Sequence, residues 1–156
     1  MASPVPPPSG TLTIVINEAT FQQQRSGTTT GTIFWLINGK AFPDEAWNDF
    51  VIIVLAAWAA AVARLLSGTS TKESLNLMDG PYLLLCQGSS DLVDCKVIER
   101  RKSEAVVAVW SGNTVDLAKQ ILVAGKASLR KCHQLSWSSP DIKELEYEIK
   151  RLRRLI

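Results

Sequence analysis

Apolar and polar residues alternate with a period of two near the start of this chain. In residues 11–17 leucine and isoleucine alternate with threonine and asparagine, which predicts a half-buried strand. A second strand is predicted at 32–37, and Asn38-Gly39 closes a hairpin to a short return strand at 40–42. A type I′ turn requires positive φ at both of its central positions, and these two residue types tolerate it.

The longest apolar run covers residues 50–63 and has charge only at its ends, Asp49 and Arg64. A helix that is apolar on every face has to be surrounded. Spanning a bilayer takes about 20 apolar residues, so this shorter run predicts the central helix of a core. Asp44 is predicted to cap the helix, which should end at about Leu66.

Short connectors separate the next four predicted strands, which indicates an antiparallel meander. These strands are predicted at 74–78, 81–87, 92–99 and 105–110. Two helices follow, one from an Asn113 cap to about His133 and one that begins at Ser139-Pro140. The predicted fold class is α+β, with an antiparallel sheet of five to seven strands and three helices packed mainly on one face.

Composition divides the chain into an arm and one domain. Residues 1–10 contain four of the seven prolines and no charge, which predicts a flexible proline-rich arm before a single α+β domain at 11–156. With 17 basic and 15 acidic residues the net charge is only +2. This balance favours neither nucleic acid nor a membrane as the main partner.

The three cysteines and the N-terminus indicate a cytoplasmic protein. An odd cysteine count and the lack of a secretory signal fit a reducing compartment. Cys86 and Cys95 flank a short turn, so they are expected to lie near each other and could cross-link if oxidised. Buried free thiols are the simpler interpretation.

The residue types that catalysis and metal binding require are scarce. His133 is the only histidine, and its neighbour Cys132 would point about 100° away on a helix, which disfavours a catalytic dyad. No glycine-rich phosphate loop and no calcium loop is present. The sequence therefore predicts no enzyme, no metal and no cofactor.

Five residues are candidate contacts for a partner: Trp137, Tyr82, Asp79, Arg151 and Arg154. Trp137 lies in a polar connector that would hide it least, whereas most of the five tryptophans should be core. Asp79 and Tyr82 share a tight turn, although turn chemistry alone explains an Asp-Gly pair. The two arginines end the last helix, where the helix dipole alone also explains them.

Several short segments give the chain a family resemblance. Between about residues 33 and 147 the chain resembles small uncharacterised bacterial α+β proteins of the toxin-immunity type. The segments are Trp47-Asn48-Asp49-Phe50, Met78-Asp79-Gly80-Pro81-Tyr82, the helix ending at Cys132, Trp137, and Asp141-Ile142-Lys143-Glu144-Leu145. Members of this kind generally lack an active site and cover the surface of a toxin, so the resemblance implies binding.

These patterns support two function hypotheses. The first is a non-enzymatic protein-binding module, such as an immunity-type inhibitor of a bacterial toxin. The alternative is a small apolar-ligand-binding protein with a pocket between helix and sheet. An enzyme that acts through carboxylates alone ranks last. The side of the first helix away from the sheet needs a cover, and either the later helices or a second subunit in a homodimer would supply it.

Overall fold

The computed structural model describes residues 10–156, so the predicted proline-rich arm lies, except for Gly10, outside the described residues. The described part is α+β, with eight strands and three helices. In chain order the elements are β1 (Leu12–Gln23), β2 (Thr29–Ile37), β3 (Lys40–Phe42), β4 (Asn48–Asp49), α1 (Val51–Leu66), β5 (Lys72–Asn76), β6 (Tyr82–Gly88), β7 (Leu92–Arg100), β8 (Glu104–Asn113), α2 (Thr114–Gln134) and α3 (Pro140–Arg154).

The strands form two antiparallel sheets of four strands each. In the first sheet β1 pairs with one side of β2, while β3 and β4 share its other side. The second sheet is the predicted meander, in the order β5-β6-β7-β8. The α+β class is confirmed, but the prediction of one sheet of five to seven strands is wrong. Both sides of β2 are occupied, because β4 returns to pair with Gly31 and Thr32.

The start of α1 also differs from the prediction. Asp44 does not cap the helix, because its carboxylate accepts a hydrogen bond from the backbone nitrogen of Ala46 in a turn (2.8 Å). The chain then forms β4 before α1 begins at Val51. Strand pairing with β2 therefore prevails over a helical continuation from Asp44.

Other local predictions are confirmed by backbone and side-chain geometry. Asn38 and Gly39 both have positive φ, 52° and 82°, as the hairpin requires. The Ser139 hydroxyl accepts a hydrogen bond from the backbone nitrogen of Ile142 (3.2 Å) and caps α3. Asn113 occupies the N-cap position of α2, but its side chain donates to Asp116 instead of capping.

Helix α1 lies at the centre of the core. Its Trp58 stacks on Trp35 of β2, with ring centroids 5.2 Å apart, and donates a hydrogen bond to the carbonyl of Asn76 in β5 (2.7 Å). Trp58 thus contacts both sheets. Helices α2 and α3 also pack on α1, so its burial does not depend on a second subunit. In residues 10–156 no helix has the length and apolar content that crossing a membrane would need.

Candidate functional site

The structure distributes the five predicted contact residues over three separate places. Asp79 and Tyr82 lie at the turn between β5 and β6, near Asp49 and the N-terminal end of α1. Arg151 and Arg154 lie in the last turn of α3, whose Glu148 is close enough to Arg64 at the C-terminal end of α1 to interact electrostatically. The 16 residues of α1 span about 24 Å, so these two groups do not share a site.

Trp137, the third location, lies in the connector between α2 and α3. Its side chain is half-buried and packs against the core, and its backbone nitrogen donates to the carbonyl of Cys132 (2.9 Å). Of the two arginines, Arg151 lies 3.8 Å from the carboxylate of Glu148, whereas Arg154 is exposed. Although the connector is polar, the ring of Trp137 is therefore not fully exposed to solvent.

The turn that carries Asp79 is held by Asp49, which is buried. One carboxylate oxygen of Asp49 accepts from the backbone nitrogens of Phe50 (2.7 Å) and Met78 (3.2 Å). The other accepts from the indole of Trp47 (3.0 Å) and the backbone nitrogen of Asp79 (3.4 Å). Asp49 was predicted to favour the N-terminal end of the helix and belongs to one of the resembling segments. The structure shows that it is a carboxylate with specific partners, and its role is structural.

Tyr82 belongs to a row of polar groups across the second sheet. Its hydroxyl donates to Glu99 on β7, which also pairs with Arg101 at 3.2 Å. Donation to the Glu99 carboxylate, and secondarily burial, raises the pKa of the Tyr82 hydroxyl. In the strand register Tyr82 lies opposite Glu99, and Glu99 lies opposite Ala105 of β8. Of the predicted contact residues, Tyr82 is therefore held by Glu99, in line with Ala105 of β8.

Residues 104–109 of β8 form an exposed strand edge, called the free edge below. Within residues 10–156, β8 is the last strand of its sheet and no strand pairs with its outer side. None of these six residues is buried, although Trp110 and Gly112 beyond them are. Three valines dominate the free edge, and their exposed fractions are 54% for Val106, 39% for Val107 and 52% for Val109.

An apolar patch adjoins the free edge on the face of the second sheet that points away from the helices. Leu83 and Ile98 are buried there but do not belong to the main core. Val106 lies opposite Ile98, and Val109 lies opposite Lys96. A register irregularity leaves Val107 without a partner on β7. The exposed apolar surface at this edge is therefore that of the three valines, with Lys96 beside Val109.

Sequence reasoning predicted a strand here but not its exposure. The run Ala105-Val106-Val107-Ala108-Val109 has no polar residue in alternate positions, a pattern typical of a strand buried on both faces. The available signal was its place as the last strand of the meander, because a terminal strand lies at an edge unless another element pairs with it.

The cysteines of the described residues are buried in the fold, and His133 contacts a neighbouring helix. Cys86 and Cys95 lie opposite each other with sulfurs 3.3 Å apart, which confirms their predicted proximity, and both are buried and free. Hydrogen bonding to Cys86, together with burial, raises the pKa of the Cys95 thiol. His133 contacts Glu146 across α2 and α3 at 2.9 Å. No group of three or more His, Cys, Asp or Glu in residues 10–156 is arranged to hold a metal ion.

Glu148 is a buried carboxylate on α3. Among the described residues its Oε2 atom has no hydrogen-bond donor, and the nearest cation is Arg151 at 3.8 Å. Burial raises the pKa of this carboxyl, an effect that Arg151 partly offsets. The folded chain therefore holds a proton at Glu148 at pH values where the unfolded chain has released it.

We expect Glu148→Gln to stabilise the protein at pH 7 by about 1 kcal/mol, because it removes a poorly compensated buried charge. The folded state binds more protons than the unfolded state just above the ordinary carboxyl pKa, so stability falls as pH rises from there through the raised folded pKa. The substitution should flatten this decline in denaturant titrations at several pH values. Glu45→Gln, at an exposed position outside α3, is the control. Equal responses of the two variants would contradict the prediction.

Comparison with family models, with curated proteins and with solved structures found no match for this chain.

Proposed function

We propose that this chain is a non-enzymatic protein-binding module that engages its partner through the free edge of the second sheet. The observation that carries the proposal is the exposure of Val106, Val107 and Val109 on one unpaired strand. A strand edge presents unpaired N–H and C=O groups to which another chain can add as a further strand. The exposed side chains of the three valines would supply contact area beyond the backbone hydrogen bonds.

The composition of the free edge supports a binding role. Proteins usually protect an edge strand with lysine, proline or a very short length. Residues 105–109 contain neither lysine nor proline, and their only charged neighbour in the free edge, Glu104, is paired with Arg100 at 3.0 Å. Among residues 104–109 the one such device is the register irregularity at Val107, so this apolar edge would favour aggregation unless a partner covers it.

The finer proposal is that the partner is a toxin and that this chain acts as an immunity-type inhibitor. That identity rests on the sequence resemblance, while the free edge supports binding in general. Inhibition by coverage needs no reacting groups. In the ligand-binding alternative, the pocket would lie between helix and sheet, a space where Trp58 of α1 stacks directly on Trp35 of β2.

The test compares two lysine variants in binding assays with proteins encoded by neighbouring genes. We expect Val106→Lys combined with Val109→Lys to reduce partner recovery at least tenfold, because both side chains would place charge in an apolar contact. Val123→Lys is the matched control, since Val123 is 69% exposed but lies on α2. Thermal unfolding should show that both variants fold. Equal recovery with the edge variant and the control would contradict the proposed site.

A further inference from the structure

We infer that the free edge pairs with the free edge of a second copy of this chain, in antiparallel orientation about a two-fold axis. This inference rests on the proposed function and names a second copy, in place of a toxin, as the partner of the same surface. Pairing would join two four-stranded sheets into one continuous sheet of eight strands. The two-fold contact uses the same residues on both copies, as an isologous interface requires.

The side chains of the free edge are compatible with themselves in this orientation. If the two-fold axis passes between Val106 and Val107, these two valines face each other across the strands. Ala105 then faces Ala108, and Glu104 faces Val109. Paired β-branched and small residues suit neighbouring strands, and no like charges stand opposite each other. Glu104 retains its ion pair with Arg100 of the same copy.

Charges at the two ends of β8 select the antiparallel orientation. The turn before β8 carries three consecutive basic residues, 100–102. Arg100 and Arg101 are paired with Glu104 and Glu99, so among the described residues Lys102 is the one of the three without an ion pair. At the other end, Asp94 accepts a hydrogen bond from Ser111 (2.6 Å), and the Asp91 carbonyl accepts one from Thr114 (3.0 Å). Antiparallel pairing sets the basic turn of each copy beside this acidic end of the other, and the contact occurs twice. Parallel pairing would bring the two basic turns together, which is unfavourable.

The remaining edges of the sheet favour a closed dimer over a growing chain of subunits. The opposite edge of the second sheet is β5, a five-residue strand that begins with Lys72 and Glu73. A short, charged strand of this kind resists further strand addition. On β8 itself, the burial of Trp110 ends the free edge after six residues, and the irregularity at Val107 interrupts it. One copy therefore suffices to cover it.

Sedimentation velocity of the full chain over a wide concentration range tests the inference. We expect a reversible monomer–dimer equilibrium, and hydrogen exchange should show backbone protection of residues 104–109 in the dimer. The Val106→Lys and Val109→Lys double variant should be monomeric at concentrations where the wild type is dimeric. Val123→Lys on α2 should dimerise like the wild type. A dimer that persists in the folded double variant, or assembly beyond the dimer, would overturn the inference.

A charge exchange tests the orientation separately. Lys102→Glu should weaken dimerisation by about tenfold, because it places an acid beside the acidic end of the other copy. Adding Asp94→Lys to the same chain should restore the lost affinity. Absence of rescue would contradict the antiparallel arrangement, even if the edge variant is monomeric.

The outcomes also separate this inference from the proposed function. If the wild type is monomeric at every concentration but the edge variant still loses a different protein partner, self-pairing is wrong and the binding module stands. If the edge variant changes neither dimerisation nor partner recovery, both proposals are wrong.

Discussion

Trp58→Ala should lower the free energy of unfolding by about 4 kcal/mol, the largest effect that we expect from any single substitution. Trp58 is fully buried, stacks on Trp35 in the first sheet and donates a hydrogen bond to Asn76 in the second. The alanine variant would leave a cavity where a side chain of α1 contacts both sheets. Denaturant titration followed by circular dichroism measures the change.

Trp58→Phe is the control that separates ring packing from the hydrogen bond. Phenylalanine keeps an aromatic ring against Trp35 but leaves the Asn76 carbonyl without its donor, so we expect a loss of about 1 to 2 kcal/mol. If Trp58→Ala cost no more than Trp58→Phe, the stacked pair would not be the contact that joins the sheets through α1.

Asp49→Asn should lower the free energy of unfolding by about 3 kcal/mol. Each carboxylate oxygen of Asp49 accepts two N–H donors. An asparagine retains one oxygen, and its NH₂ group would face two of these donors, leaving them unsatisfied in a buried site. Denaturant titration gives the stability. Hydrogen exchange should show faster exchange at the backbone nitrogens of Met78 and Asp79.

Asp44→Asn is the matched control for Asp49. Asp44 is exposed, and only one of its oxygens accepts a hydrogen bond in the turn, which an amide oxygen can replace. We expect a change below about 0.5 kcal/mol. Similar losses in the two variants would mean that the buried carboxylate does not organise the start of α1 and the turn after β5.

Most elements of this fold, though not β4, could be predicted from local patterns, because they depend on residues near in sequence. Period-two alternation identified β1, and the Asn38-Gly39 pair and the Ser139-Pro140 pair identified a hairpin and a helix start. The division into two sheets could not be predicted in this way. It depends on long-range pairing that no periodicity reveals: β3 and β4 both pair with β2, and within residues 10–156 no strand of the meander pairs with the first sheet.

The candidate site shows the same limit. Asp79 was predicted as a contact residue because it lies in a recognisable turn. That turn is held by the buried Asp49, which is 30 residues away in sequence. A strand was predicted at the valines of β8 without any statement on their burial, and their exposure follows from strand order. Long-range pairing determined both outcomes, so residue type and spacing alone were insufficient.

The covering of α1 by two later helices has a consequence for synthesis on the ribosome. Both sheets and α1 emerge before α2 and α3, so the back of α1 stays uncovered until the last quarter of the chain has been translated. Nascent chains tend to fold from the N-terminal end, and exposed apolar surface in such intermediates attracts chaperones or aggregates. The synthesis of α2 and α3 thus determines when the nascent chain stops exposing the apolar surface of α1 that could misassemble.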